Sequence, residues 1–405
     1  MIGEADVVVI GSGGLGAATA FYLVRRGVGR VVLVDKHELG SQTSPRAAGL
    51  ANHARSTDLG VELVKLAARN LRRFSEDTGQ PLELTQPGSL KIARRRQDVA
   101  ILEGDIERGR RLGLDVEPVS PDDAHRLNPF LRPEGVLAVM RVGDDFYFDP
   151  SQIAIGFARG AQAHGATLLP RTAVTSVRIE DGQVAGVETD GRTIHTPVVV
   201  DAAGAWARQV AEASGIRIPL VPTRHQLFVT EAVDGVRSDL PIVRIIDAAV
   251  YVRPCDGGFL WGGYEDDPRQ FDMDALGASF DIGDTPLDAD VLRALAEQVK
   301  EQLPILSEAG IREHRGGIPT MTADRQHIVG PVPGARGFFV AGGCNVGGLS
   351  VSPAIGEALA DWIVNGAPPL DLTPFAITRF GGDAWDEERL RQETAWQYRH
   401  FYEPV

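Results

Sequence analysis

Two glycine-rich stretches contain the residues of this chain whose types and spacing most directly imply chemistry. In VVVIGSGGLG, Gly11, Gly13 and Gly16 satisfy GxGxxG immediately after a short run of valines. Glycines at these positions permit a tight turn, close approach of the backbone to a pyrophosphate, and close packing of the helix that follows. The phosphates then meet free N–H groups at a helix N-terminus, where the helix dipole favours an anion. Asp35 ends the next apolar run, about 20 residues on, where a carboxylate accepts hydrogen bonds from ribose hydroxyls. This is the pattern of a dinucleotide site. NAD and FAD both use it, and Asp35 does not separate them. Far along the chain, FFVAGGCNVGGLSV sets a second glycine loop between a strand and a helix. FAD must be held at its adenine and isoalloxazine ends, whereas an NAD enzyme does not usually need that second loop. Backbone N–H groups of Asn345, Val346, Gly347, Gly348 and Leu349, backed by a helix from Ser352, suit negative charge at the N1/C2=O edge of a reduced flavin. The two loops together point to FAD.

The elements that position these loops follow from periodicity. Ala5 to Ile10 is a valine-rich run suited to a strand buried on both faces. Leu15 to Arg26 has helical spacing and stops at Gly27, and Arg30 to Val34 repeats the buried-strand pattern, which completes a βαβ unit. From Val174 to Gly204 strands are separated by EDGQ and TDGR, whose Asp-Gly pairs favour hairpin turns, so a β-meander is expected. TPVVVDAAGAW then returns to the parallel sheet. An antiparallel sheet is predicted between Leu220 and about Arg315, with an amphipathic helix over Asp288 to Leu303. The expected fold is α/β, or α+β overall: a Rossmann-type FAD-binding domain with an inserted antiparallel-sheet substrate domain. The first is assigned to residues 1–80, 150–220 and 320–375, the second to 81–149 and 221–319. Residues 376–405 form a C-terminal helical tail, with a helix over Trp385 to Tyr402 as a packing or oligomer element.

Composition narrows the function classes. The chain has 405 residues, a formal charge of −14, 43% apolar and 24% charged residues, which suits a globular enzyme and argues against nucleic acid as a partner. ARRRQ, from Ala93 to Gln97, reads as a solvated segment. Cys255 and Cys344 are far apart and lack metal-ligand spacing, so neither a disulfide framework nor a metal site is indicated. No apolar run reaches the roughly 20 residues that span a bilayer, and the acidic N-terminus lacks the form of a secretory signal. A soluble, cytoplasmic protein without membrane insertion is expected, with a homo-oligomer permitted.

GSGGLG, GSQTSPRAAGL, PTRHQLFVTE, YVRPCDGGFLWGGYE and FFVAGGCNVGGLSVSPAIGEALADWI, in that order, resemble the D-amino-acid-oxidase-type (DAO) flavoproteins. Within them the resemblance is to the flavin domains of dimethylglycine and sarcosine dehydrogenases and oxidases, and it runs from about residue 5 to 370. It implies an FAD enzyme that oxidises the C–N bond of a secondary or tertiary amine, commonly an N-methylated amino acid. The cofactor contacts it implies are Gly11, Ser12, Gly13, Gly14, Leu15, Gly16, Asp35, Lys36, Ser44, Arg46, Ala47, Ala48, Gly49, Leu50, Val174, Gly204 and Trp206, with Asn345 to Leu349. Relatives of the dimethylglycine type join flavin covalently to a histidine in a segment like WHAAGL; here the segment is PRAAGL, with Arg46 in that place. Monomeric sarcosine oxidases use a cysteine in a segment matching Gly317 to Asp324, which has none. Non-covalent FAD is therefore expected. The folate-binding domain of many such relatives has no counterpart in the sequence.

His225 and Tyr264 match positions that, in dimethylglycine-oxidising relatives, lie over the flavin near the substrate amine. An ammonium has no lone pair to assist hydride loss from the α-carbon, so the bound amine must be neutral. His225 is expected to accept or relay the proton, and Tyr264 to orient the amine or share it. Arg46 either lies against the isoalloxazine or pairs with a substrate carboxylate, for which Arg224, Arg253 and Arg315 are also candidates. Cys344 is expected to be a small buried residue rather than a reactive thiol. Trp261 stands where sarcosine oxidases have a lysine beside flavin N5, which tilts the reading toward a dehydrogenase; the electron acceptor is O2 or a redox partner. Two other readings are a D-amino acid or cyclic imino acid dehydrogenase, and a flavin-carrying subunit of a multi-subunit complex.

Overall fold

A computed structural model describes residues 3–381 and 385–403. A six-stranded sheet runs in the order Ile328–Pro331, Phe338–Gly342, Val199–Asp201, Val7–Ile10, Val31–Val34, Thr167–Leu169. All neighbours are parallel except the Ile328–Pro331 edge strand, which is antiparallel to Phe338–Gly342. Val7 to Ile10 are buried throughout because each face of the sheet is covered. Val7 and Val9 pack with the helices Gly14–Arg25, Pro150–Ala163 and Gly348–Asn365, while Val8 and Ile10 pack with the meander Val174–Glu180, Gln183–Thr189, Arg192–His195. The first and last of those helices touch so closely that a Cβ on Gly356 would lie 2.6 Å from the Ala18 carbonyl carbon.

The C-terminal glycine loop differs from expectation at its helix start. The helix begins at Gly348, four residues before Ser352, and runs through Pro353. Proline lacks the N–H that would bond the Leu349 carbonyl. Ser352 Oγ donates to that carbonyl at 2.8 Å instead, so the turn persists.

An eight-stranded sheet supplies the second layer, in the order Ile311–Gly317, His225–Thr230, Gly258–Gly263, Val250–Cys255, Ile242–Ile245, Ser89–Ala93, Ala138–Val142, Val116–Val119. It is not wholly antiparallel: Ile242–Ile245 pairs in parallel with Ser89–Ala93, which is how strands from the first third of the chain enter it. The helix Ala289–Gln298 packs on the face that buries Phe228, Phe259 and Trp261. Strand alternation thus turns Leu260, Gly262 and Tyr264 the other way, toward the cleft between the sheets.

The helix Glu387–Arg399 is fastened across both layers. Asp386 accepts the Arg389 N–H as its N-terminal cap at 2.7 Å, Arg208 forks onto Glu387 at 3.0 and 2.8 Å, and Gln270 Nε2 donates to Arg391 O and Thr394 Oγ1. Arg325 donates to the carbonyls of His400 and Glu403 and so pins the turn after the helix. The ARRRQ run is structural in part: Arg94 forks onto Asp247 at 3.0 and 2.8 Å, and Arg95 forks onto Asp98.

Candidate active site

The two glycine loops, so distant in sequence, meet at one end of the parallel sheet. A Cβ on Gly14 would lie 2.8 Å from Leu349 Cδ1 and 3.1 Å from Ser352 Oγ. The N-cap residues of the Gly14–Arg25 and Gly348–Asn365 helices, Gly13 and Gly347, offer no side-chain cap, and both N-termini line one cleft. Gly11 and Gly16 serve packing: a Cβ on Gly16 would sit 1.9 Å from Gly11 O, and one on Gly11 would sit 2.5 Å from Ala202 O. Ser12 is buried and ties three segments, with its N–H and Oγ on Asp35 Oδ2 at 2.7 and 2.6 Å and its Oγ accepting from Gly40 N at 2.9 Å.

Ser44 draws the PRAAGL stretch over the first loop, since its Oγ accepts the Gly14 N–H at 3.0 Å. The cleft wall then runs through Arg46, Ala47, Ala48, Gly49 and Leu50, with Gly13, Gly14, Leu15 and Gly204 on one side and Val346 to Leu349 on the other. Gly49 must be glycine, because φ is +68° and a Cβ would meet Phe148 O at 2.1 Å. Val346 takes φ of +63°, costly for a β-branched residue, and the strain is held by Asn345, whose Oδ1 accepts from Thr322 N at 3.0 Å. Two of the five N–H groups expected to face the flavin are engaged inside the protein: Asn345 N donates to Thr320 O, and Gly347 N to Asn345 O. The Val346 N–H is turned to the Cys344 thiol, and among the described residues Gly348 and Leu349 remain. Asp35, Lys36, Val174 and Trp206 lie outside the cleft lining; Lys36 Nζ sits 4.1 Å over the Trp206 ring, next to Asp35 in sequence. Cys344 lines the cleft, and burial pushes its thiol pKa up.

Above this cleft the eight-stranded sheet presents His225, Tyr251 and Tyr264. His225 keeps a little cavity-facing surface but is enclosed by protein, and burial lowers its pKa to about 3. Its Nε2 faces Tyr251 OH and its Nδ1 faces Tyr398 OH, both at 2.8 Å. A neutral imidazole donates at one nitrogen and accepts at the other, so one tyrosine accepts and the other donates. Tyr264 lies 5.0 Å from the His225 ring and stacks on Phe401 at 4.1 Å with an 11° interplanar angle. Among the described residues its hydroxyl has no hydrogen-bond partner. The tail is therefore the roof of the site, a role its sequence does not announce: Tyr398, Phe401 and Tyr402 are aromatic residues at the end of a charged helix. Replacing Tyr398 with Phe removes one bond to His225 and is expected to lower turnover up to about 10-fold without loss of flavin, as visible absorbance and steady-state rates would report.

The arginines sort differently from expectation. Arg224 forks onto Glu265 at 3.2 and 2.7 Å and donates to Pro286 O. Arg253 donates to Ala48 O and Pro254 O and lies over Tyr147, while Arg315 does not line the cleft. Arg46 lines the cleft, yet it donates to Ser41 O and Gln42 O and faces Asp281 Oδ1 at 3.7 Å. Arg55 and Arg244, which the sequence did not single out, also line it. Trp261 is buried on the opposite face, edge-on to Phe228 at 5.6 Å, so it cannot stand beside a flavin and bears on neither oxidase nor dehydrogenase chemistry.

A family model described as FAD dependent oxidoreductase, DAO, matches residues 6–362. The chain belongs to that family. The resemblance read from the five segments is thus correct, and so is the α/β fold class. Sarcosine dehydrogenase of Mus musculus is 33% identical over 99% of this chain, and dimethylglycine dehydrogenase of Rattus norvegicus is 30% identical over 93%. The chain spans 44% and 45% of those mitochondrial relatives' lengths, less than half of each. Among solved structures, L-proline dehydrogenase from P. horikoshii superposes with a TM-score of 0.83 at 25% identity, covering 94% of this chain and 99% of the other. FAD is the cofactor of this DAO-family chain, and the residues fit it: two helix N-termini with glycine at the N-cap share one cleft, and the backbone between Ala47 and Leu50 is bare of large side chains. No helix among the described residues is long and apolar enough to cross a membrane, and none of their acidic, histidine and cysteine side chains group as a metal site.

Proposed function

We propose that this DAO-family chain binds FAD non-covalently and oxidises the C–N bond of a secondary or tertiary amine, an N-methyl amino acid of the sarcosine or dimethylglycine kind. The observation that carries this reading is the make-up of the cleft wall. It contains Arg46, Arg55 and Arg244, and among the described residues no Asp or Glu, beneath His225, Tyr251 and Tyr264. Such a wall disfavours an ammonium and favours a neutral amine with its lone pair free. Bound FAD supplies a two-electron acceptor for the hydride of the carbon next to nitrogen. The chain's own residues do the rest. Tyr264, with its hydroxyl unpartnered, orients the amine. Tyr251 carries the amine proton toward His225, which relays rather than stores it because both ring nitrogens are already engaged and burial keeps the ring neutral. The iminium product takes up water and releases the dealkylated amine and an aldehyde. The relatives named for sarcosine and dimethylglycine support the substrate class.

Purified protein should be yellow, and sarcosine or dimethylglycine should bleach it without oxygen; failure with every secondary and tertiary amine refutes the proposal. Acid precipitation should release the flavin into the supernatant, and colour retained in the pellet refutes non-covalent binding. Bleaching by proline alone would select a cyclic amino acid dehydrogenase, the reading that the L-proline dehydrogenase likeness favours.

A further inference from the structure

A second cavity, of about 220 Å³, adjoins the cleft. Its mouth lies at Ser56, ahead of the helix Asp58–Arg72, and at Ala100 on the helix Arg96–Arg111, both exposed. Its inner end shares a wall with the cleft, to which the late glycine loop contributes Cys344 and Gly347 and the C-terminal tail contributes Phe401 and Tyr402. Two aromatic side chains of the tail thus stand between the reacting centre and a space that reaches solvent.

Phe401 is a fixed part of that wall rather than a swinging lid. Its ring stacks on Tyr264 at 4.1 Å and 11°, meets Tyr402 edge-on at 5.5 Å, and has the Arg325 guanidinium carbon 5.6 Å from its centroid. Arg325 also donates to the carbonyls that bracket Phe401 and Tyr402, His400 O at 2.6 Å and Glu403 O at 2.5 Å. Arg325 itself takes φ of +54°, a strained region for a residue with a side chain, which persists only where the surroundings enforce it. Asp324 does so, accepting from Gln326 N at 3.1 Å and from the fork of Arg379 at 2.6 and 3.0 Å. Displacing the Phe401 ring therefore costs its stack on Tyr264 and strains a backbone that is clamped on both sides.

We propose that Phe401 is the specificity-determining residue of the site: its ring ends the substrate space beside Tyr264 and limits the group on the amine nitrogen to small alkyl groups such as methyl. The inference rests on the amine-oxidation reading above and adds to it what the nitrogen can carry. The reason is steric. Tyr264 orients the amine, and the face of Tyr264 that Phe401 covers is closed to a ligand, so a bulky substituent on that nitrogen meets a ring that does not yield. Without the ring the cleft joins the second cavity, where Val351, Phe375 and Tyr402 offer apolar contact to a larger group.

The test uses the FAD-bound protein and two ligands that bind without reacting. Methoxyacetate and benzyloxyacetate carry an ether oxygen in place of the amines of sarcosine and N-benzylglycine. Titrated at constant ionic strength and followed by the flavin absorbance spectrum, methoxyacetate should bind the unaltered protein about 100-fold more tightly than benzyloxyacetate. In Phe401→Ala that ratio should fall by about 30-fold, and in Phe401→Leu by a smaller factor. Phe401→Leu keeps an apolar side chain in the tail and carries the test should Phe401→Ala not fold. Loosened packing of the tail alone would weaken both ligands together, so a ratio unchanged in the variants overturns the proposal. So does an unaltered protein that binds both ligands equally, or one that gives no spectral response to either. Because neither ether is oxidised, a protein that oxidises no amine still passes or fails this test.

Discussion

Asp145→Ala is expected to destabilise the fold by about 3–5 kcal/mol. Asp145 is fully buried and joins three distant segments: Oδ1 accepts from His53 N, and Oδ2 accepts from Ser89 Oγ and Arg244 Nη1. Removing it leaves Arg244 buried beside Arg55 with no counter-charge. Burial pushes its pKa up, but Arg244, His53 and Ser89 outweigh burial and hold it at about 2. A carboxyl depressed in the folded state contributes stability above its unfolded pKa of about 3.9. That contribution disappears as pH falls from there through about 2. Denaturant unfolding near neutrality, repeated at acid pH, checks both statements. A loss below about 1 kcal/mol, or the same variant effect at pH 2 as at pH 7, would show that the network is not what holds these segments together.

His225→Ala is expected to lower kcat/KM by about 100-fold or more while leaving the flavin spectrum and FAD affinity unchanged. Asn or Gln at this position should recover part of the loss, since either offers a donor and an acceptor to Tyr251 and Tyr398. Burial holds His225 at about 3, far below the usual imidazole range, so it stays neutral across the working pH. In the unaltered protein kcat/KM should therefore rise with pH through the pKa of the free amine and show no inflection near 6.5. An acid limb near 6.5 that vanishes in His225→Ala would instead make His225 a titrating base. Equal kcat/KM in variant and parent would reduce it to a packing residue.

Much of this architecture can be read locally. GSGGLG with Asp35, the paired Asp-Gly turns of the meander and the late glycine loop each specify their structure within a few residues, through steric limits on φ and the placement of helix N–H groups. The helix starts at Gly348 rather than at Ser352, and it passes through Pro353 because Ser352 Oγ replaces the missing hydrogen bond. Trp261 departs from expectation because a strand segment alone does not say which face meets the cleft; Tyr264 lines it, while Trp261 packs on the opposite face.

The family, the cofactor and each of the two glycine loops are legible in the chain's own residues, because each motif is specified by residues close together in sequence. What surrounds the reacting centre is set by long-range packing. Tyr398 reaches His225 across 173 residues, and Asp145 reaches Arg244 across 99. Nothing local in ETAWQYRHFYEPV indicates a roof, and nothing in ANHARS distinguishes Arg55 from a surface arginine. That its Nε has no acceptor among the described residues is a property of every residue that does not approach it, and that is settled only when the whole chain has folded.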